Sequence, residues 1–396
     1  MRKVVSLFLA GILVVSAIIL PGCQNTDTDS DVSSTTVSEA ENKSLTEILD
    51  NTVDDCGFIG TVCLYYDGKK IYESNKGLAD KDNNIQNCPD LIYRIGSLSK
   101  QFAAVGICIL KDEGKLDFND KVSKYFPNCK FGEKVTIKNL LNMTSGIPDF
   151  FSDFTQNKTY TQDELQIAVS ANNTAQKNRE LIENWILSQD LIFEPGAKFY
   201  YCNSNYALLG RIIEQVSGKS YEDYITEKIF VPLKMTSTSF DFKNLNTKGY
   251  LEDYIFKSVK TEEQFIQHEY YEWTLYPGVC TAFADMCSSV EDLHKWLTAI
   301  RNGEVVKPET YASMIENNGF GDGYGYGFGF FTNDEMCWHT GALGSYQSEI
   351  IFRKDRDFSI IVITNTFNDG FYKNIGAKLY NVIGSNKELV SGSSEG

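Results

Sequence analysis

Hydrophobic and polar positions change their spacing several times along the chain, and each change marks an element. Phe58 to Tyr66 alternates apolar and small residues, the chain turns at Asp67-Gly68, and Lys70 to Gly77 returns. An Asp-Gly pair between two such runs predicts a β-hairpin. From Ser97 the period lengthens. Leu98, Phe102, Val105 and Ile109 recur at steps of four, three and four, which predicts a helix that Gly114 stops. Thr136 to Met143 reads as a short helix capped by Thr136, with Gly146 closing the following turn. Residues 147–190 are irregular and polar until Asn178 to Ser188, which has a helical pattern. Ala207 to Val216, Tyr221 to Ile229 (ending before Pro232) and Val290 to Ile300 are helical in pattern too.

The last part of the chain reads differently. Tyr324 to Phe330 alternates aromatic residues with glycine, which is strand period. Ser345 to Phe352 and Phe358 to Thr364 predict two more strands, separated by the charged turn Lys354 to Arg356. Asn374 to Ile383 can form a closing helix. A hairpin near the start and three strands near the end thus flank a helical middle. One antiparallel sheet assembled from both chain ends, with helices around it, buries all of them: an α+β fold.

The N-terminus carries an address. Arg2 and Lys3 precede an apolar run from Val4 to Leu20, broken only by Ser6, Gly11 and Ser16, and then comes Leu20-Pro21-Gly22-Cys23. A basic start, an apolar stretch and small residues before a cut site make an export signal over residues 1–22. Leu-Pro-Gly-Cys resembles the lipobox of bacterial lipoproteins, which implies lipidation of Cys23. The alternative is an uncleaved membrane anchor. Both put the rest of the chain outside the cytoplasm, held at the cell membrane. Residues 23–44 are rich in Ser, Thr, Asp and Glu and read as a flexible tether, residues 45–385 as the folded domain, and residues 386–396 as a disordered tail.

Composition narrows the options. The 396 residues are 42% hydrophobic and 23% charged, which excludes a wholly disordered chain. The net charge of −16 argues against nucleic acid as a partner, because phosphate contacts need a basic face. Besides Cys23 there are nine cysteines, an odd number that cannot all pair within one chain. No C-x-x-C occurs, and His268, His294 and His339 are scattered, so no metal site or cofactor is expected. Most of the cysteines read as small buried hydrophobes. His268 and His294 have no evident partner, and His294, between Glu291 and Lys295 on a helix, reads as a surface residue. The glycines from Gly321 to Gly329 lack the following lysine and helix of a phosphate loop and read as strand. Trp273, Tyr276 and Pro277 could rim a site or simply pack.

Three short stretches carry candidate chemistry. Ser97 and Lys100 are three apart, so both project from one helix face. A serine hydroxyl becomes a good nucleophile only when something takes its proton, and a lysine does so only when neutral. A free lysine titrates near roughly 10.4, so burial must bring that value down. The helix start also offers backbone N–H groups to a developing oxyanion. Tyr201 and Asn203 lie two apart, and a loop or extended segment would direct both the same way: a phenol to relay a proton, an amide to grip a substrate. Trp338-His339-Thr340-Gly341-Ala342 precedes the strand near Ser345, as an extended edge against which a substrate backbone can lie, with His339 as a cation for a carboxylate.

Ser-x-x-Lys, Tyr-x-Asn and His-Thr-Gly, in that order, resemble the signature of the serine penicillin-recognising family. That family comprises class C β-lactamases, low-molecular-weight penicillin-binding proteins, D-alanyl-D-alanine carboxypeptidases and related esterases. Leu140-Leu141-Asn142-Met143-Thr144-Ser145-Gly146-Ile147-Pro148, the Glu194-Pro195-Gly196 turn and Asp285 to Leu293 resemble it as well. The resemblance covers about residues 45–385. It implies a β-lactamase/transpeptidase-like fold with a helical subdomain and a site between subdomain and sheet. It implies Ser97 as the acylated nucleophile, with Lys100 and Tyr201 sharing the base and relay work. Asn203 would hold the acyl side chain, the N–H groups of Ser97 and Ala342 would form the oxyanion hole, and His339 and Thr340, beside Gly341, would meet the substrate carboxylate. The sequence departs from the family at three positions. Class C β-lactamases usually carry lysine where His339 stands, Cys202 replaces a common serine, and Met143 replaces a common histidine. The expectation is a monomeric, extracytoplasmic serine hydrolase cleaving a small peptide amide through an acyl-enzyme, most nearly a D-alanyl-D-alanine carboxypeptidase. The alternatives are an esterase or D-amino-acid peptidase, a β-lactamase, and a β-lactam receptor that does not turn over. An imidazolium at His339 would make KM for an acid-ended substrate rise above about pH 6.5.

Overall fold

The structure, a computed structural model, describes residues 44–151, 168–251, 276–319, 323–367 and 374–385. The signal segment, Cys23 and the rest of the tether to residue 43, the tail, His268 and Trp273 lie outside the described residues. Among the described residues no helix is long and apolar enough to cross a membrane.

The chain forms two compact units. In the first, helix α1 (Leu45–Asp55), capped by Ser44, packs on helix α9 (Ile375–Ser385) from the other end of the chain. The Lys378 Nζ approaches Cys56 Sγ at 3.6 Å in that pair.

The second unit, Ile59–Asn368, is built on a seven-stranded antiparallel sheet. Strands β1 (Gly60–Tyr66) and β2 (Lys69–Lys76) form the expected hairpin, with Asp67 at φ 50° and Gly68 at φ 72°. Positive φ at both turn residues matches the right-handed twist of the flanking strands. Short pairs follow outside the main sheet: β3 (Leu78–Asp80) with β4 (Ile85–Gln86), β5 (Tyr93–Arg94) with β7 (Cys287–Ser288), and β6 (Tyr250–Leu251) with β13 (Thr366–Phe367). The sheet is completed by β8 (Gly325–Tyr326), β9 (Phe331–Thr332), β10 (Met336–Leu343), β11 (Tyr346–Arg353) and β12 (Phe358–Thr364), in the order β2-β1-β12-β11-β10-β9-β8. Strand β12 is buried along its whole length, which is why its sequence runs apolar without alternating; β11 is nearly as buried but carries Gln347, Ser348 and Glu349 among its buried residues.

Two sequence expectations are corrected here. The His339 stretch does not precede a strand; it lies inside one, β10, paired along its length with β11. The aromatic–glycine run is strand only at Gly325–Tyr326, because its glycines serve close packing: a Cβ on Gly327 would sit 1.9 Å from the Met314 carbonyl oxygen.

The helical part comprises α2 (Ser99–Asp112), α3 (Ile137–Leu141), α4 (Ala175–Ser188), α5 (Asn203–Ser217) and α6 (Tyr221–Ile225). Helices α7 (Val290–Arg301) and α8 (Pro308–Met314) follow, and α7 packs on β12. Helix α2 is buried on nearly every side, packs on α5, and stacks Phe102 on Trp296 of α7 at 4.3 Å. His294 is not the free surface residue its neighbours suggest: half-buried, it stacks on Tyr65 at 3.6 Å, and loss of water lowers its pKa. All nine described cysteines are free and seven are buried, in line with reading most of them as small buried hydrophobes.

Candidate active site

Glycine sets how closely the Ser97 turn meets the sheet. Gly96–Leu98 is one 3-10 turn leading into α2. Gly96 sits at φ 50°, and a Cβ there would lie 2.6 Å from the Ala342 nitrogen on β10. From the other side, a Cβ on Gly341 would lie 2.1 Å from the Ile95 carbonyl oxygen. The Ser348 hydroxyl of β11 donates to that same carbonyl at 2.8 Å. The two glycines thus let the Ser97 turn close on the main chain of Ala342, which only residues without a Cβ allow, and Ser348 ties the turn there.

Lys100, the second residue of α2, is wholly buried. Its Nζ lies 2.9 Å from Ser97 Oγ, 2.8 Å from Asn203 Oδ1 and 3.1 Å from the Phe283 carbonyl oxygen. The rings of Tyr201, Phe283 and Tyr206 surround it at 4.9, 5.3 and 5.9 Å. Burial drives its pKa down to about 7, with the negative charge of Asp149 the first force opposing the fall. A neutral amine has two N–H bonds and one lone pair. Asn203 Oδ1 and the Phe283 carbonyl can only accept, so they take the two N–H bonds and leave the lone pair for the Ser97 hydroxyl.

Tyr201 comes from the extended segment before α5, as the spacing suggested, whereas Asn203 is already the first residue of that helix. The segment is hung on the 140–148 stretch: Tyr200 N–H donates to the Met143 carbonyl at 2.9 Å, and Gly196 N–H to that of Thr144 at 2.8 Å. Met143 is fully buried, and its sulfur accepts from the Cys202 N–H at 3.3 Å. The Tyr201 hydroxyl is raised above the usual phenol range by burial, an effect opposed by its hydrogen bond with Ser97. Ser97 and Tyr201 remain partly open to solvent.

Along β10 the pleat separates four candidates into two pairs. Thr340 and Ala342 are exposed; His339 and Gly341 are buried. The His339 ring exchanges hydrogen bonds with the Tyr326 hydroxyl at 3.0 Å and the Thr340 carbonyl at 2.6 Å. Burial first, and then the charge of Lys100, lower its pKa to about 3. The expected imidazolium is corrected on that ground: with no carboxylate bound, burial beside Tyr326 favours the neutral ring.

Two contributors escaped the sequence. Asp149 is buried and bonds to Asn203, and Phe283 offers only its main-chain oxygen. The sole hint of the first is a carboxylate inside the apolar stretch Ile147 to Phe151. A separate polar cleft of about 600 Å³, lined by Lys138, Asn139, Lys198 and Phe199 among others, contains no residue of the three motifs. Asn139 there is already engaged with Thr136 and Thr144.

The family model described as "Beta-lactamase" matches residues 45–383. The chain belongs to the beta-lactamase family. Its fold is the β-lactamase/transpeptidase-like fold. "Protein flp" of Staphylococcus aureus is 30% identical over 322 residues, covering 77% of this chain and 59% of its own length. This beta-lactamase family member therefore spans less than two thirds of that relative. "Putative penicillin-binding protein PbpX" of Bacillus subtilis is 28% identical over 369 residues, 91% of this chain and 85% of its own. The D-amino acid amidase of Ochrobactrum anthropi SV3, solved with L-phenylalanine amide, superposes with a TM-score of 0.67 over 87% of this chain and 99% of its own, at 22% identity.

Proposed function

We propose that the chain is a serine hydrolase that acts through an acyl-Ser97 intermediate on amide bonds of small peptides ending in D-alanine, as a penicillin-binding carboxypeptidase. The observation that carries the reading is the buried Lys100 Nζ at 2.9 Å from Ser97 Oγ, with its two other contacts both acceptors. Lys100 or Tyr201 takes the hydroxyl proton as Ser97 Oγ bonds to the carbonyl carbon. The N–H groups of Ser97 and Ala342 hold the oxyanion, and Asn203 and Thr340 orient the substrate. On collapse the C–N bond breaks and the amine leaves with the proton. Water then attacks the ester and restores Ser97. The likeness to "Putative penicillin-binding protein PbpX" supports the substrate class. A second reading is an amidase or esterase for substrates with a neutral end, and the uncharged His339 favours it. A β-lactamase and a non-turning-over receptor differ from both in how fast the acyl group leaves. We also place the domain outside the cytoplasm, as a monomer anchored through lipid on Cys23. Cys23→Ser should release it from membranes and abolish palmitate labelling.

The test is intact mass against time after mixing the full chain with benzylpenicillin, beside Ser97→Ala. An adduct on the wild type alone supports Ser97 as the acylated nucleophile. Decay within seconds indicates a β-lactamase, and persistence for hours a peptidase or receptor, which release of D-alanine from a peptide then separates. No adduct, with hydrolysis of D-amino-acid amides or esters, moves the assignment to the second reading. No adduct with either class removes the acyl-serine mechanism.

A further inference from the structure

Asp149 stands behind the site, one residue removed from the reacting atoms. It follows Pro148, and its loop is clamped to the start of α5: the Ser204 hydroxyl donates to the Pro148 carbonyl at 2.8 Å, and the Phe150 N–H donates back to Ser204 Oγ at 2.9 Å. The carboxylate is 1% exposed. Asp149 Oδ1 accepts from the Asn203 main-chain N–H at 3.0 Å and the Phe151 N–H at 3.2 Å, and Oδ2 accepts from Asn203 Nδ2 at 2.9 Å. A buried carboxylate needs such donors: Asn203, at the start of the 15-residue α5, supplies two of them with a favourable dipole, and Phe151 in the carboxylate's own loop supplies the third.

The consequence reaches Ser97. A side-chain amide can face a neighbour with oxygen or with nitrogen, and an ionised carboxylate accepts only. Asn203 must therefore turn Nδ2 to Asp149, which leaves Oδ1 for Lys100 Nζ at 2.8 Å. We propose that Asp149 is a positioning residue: it fixes the amide of Asn203 so that its oxygen faces Lys100, and through that contact it aims the amine's lone pair at Ser97. The kinetic arm of this inference rests on the acyl-serine reading; its spectroscopic arm does not.

Several charged or titratable groups face Lys100. Asp149, Cys280, Cys202 and Asp285 each favour its protonated form, the phenols of Tyr201 and Tyr206 lie beside it, and His339 is coupled to it. Two variants move Lys100 in opposite directions against that constant background. Asp149→Asn removes the nearby negative charge and lets the Asn203 amide turn its nitrogen toward Lys100. Asp149→Asn combined with Asn203→Asp exchanges the two groups, so the carboxylate now touches Lys100 and the amide behind it donates to that carboxylate.

The experiment is titration of Lys100 by ¹³Cε NMR in full-length protein, beside the pH dependence of Ser97 acylation by p-nitrophenyl acetate. The single variant should titrate about one pH unit below the wild type, and the exchanged pair about one unit or more above it. The acid limb of the acylation rate should move with each, since a merely structural change would lower the rate without moving the limb. Should the single variant fail to fold, the upward shift in the exchanged pair alone decides. Unchanged titration in either folded variant overturns the inference. Titration that shifts as expected in a wild type and variants that are never acylated leaves the positioning role standing and removes the acyl-serine reading.

Discussion

The two walls of the site are built by opposite means. The helix wall, Lys100 with Asn203 and Asp149, is buried, and every group is held by its neighbour: Asp149 accepts from Asn203, whose oxygen accepts from Lys100. The strand wall is a pleated edge, with Thr340 and Ala342 open and His339 and Gly341 turned inward. Both walls hide a basic side chain, yet the outcomes differ. Lys100 keeps three oxygen contacts and the charge of Asp149, and its pKa stops near 7, where a base is useful. His339 has a phenol and one carbonyl, and its pKa falls to about 3, where the ring serves only to shape the strand. Burial alone makes a base neutral; the acceptors around it decide whether it can still take a proton at physiological pH.

Breaking the helix wall should cost most. Lys100→Met removes the proposed base while filling its place with apolar volume, and the acylation rate should fall roughly a thousandfold with little loss of Tm. A drop below tenfold would give the first proton to Tyr201. In the wild type the acid limb of kcat/KM should lie near pH 7, because Lys100 must be neutral to act and burial has lowered its pKa to about 7. A limb near pH 10, where free lysine titrates, would mean that burial does not lower the pKa of the group that takes the proton.

Next in size is the join between the walls. Gly341→Ala drives a Cβ to 2.1 Å from the Ile95 carbonyl, so β10 and the Ser97 turn must part. Stability should fall by about 1–3 kcal/mol, and acylation with it. Gly344→Ala, in the following turn, meets no atom within 4 Å and carries only the strain of its φ of 62°. It should slow acylation far less. Equal losses in the two variants would mean that the close approach at Gly341 does not hold the site together.

How far the sequence reveals this depends on whether a feature is local. The β1–β2 hairpin, α2 and β12 are legible because turn chemistry or period lies within a few neighbouring residues. Ser97 and Lys100 are legible because one helical turn brings them together. Strand β10 is not, since Met336 to His339 is buried on both faces and alternation begins only at Thr340. Asp149 and the Phe283 carbonyl escape for another reason. Each reaches the site across a long stretch of chain, one as a group behind Asn203 and the other as a main-chain oxygen that no side chain announces. The charge of His339 is also invisible, because it depends on burial beside Tyr326 and near Lys100 rather than on residue type.

The smallest effect tests the strand wall. A neutral His339 gives no imidazolium to lose, so KM for a carboxylate-ended substrate should stay flat from pH 5 to 8, measured where the rate-limiting step is unchanged. The sign follows from the lowered pKa: the ring is already unprotonated throughout that window, and protonation begins only toward pH 3. His339→Gln keeps a polar group within reach of the Tyr326 hydroxyl and should change KM less than threefold. Thr340→Val, which removes the exposed hydroxyl on the same strand, should change it more. If KM instead rises between pH 6 and 7 and His339→Gln abolishes the rise, the ring is charged in the substrate complex, and the two walls are more alike than their burial indicates.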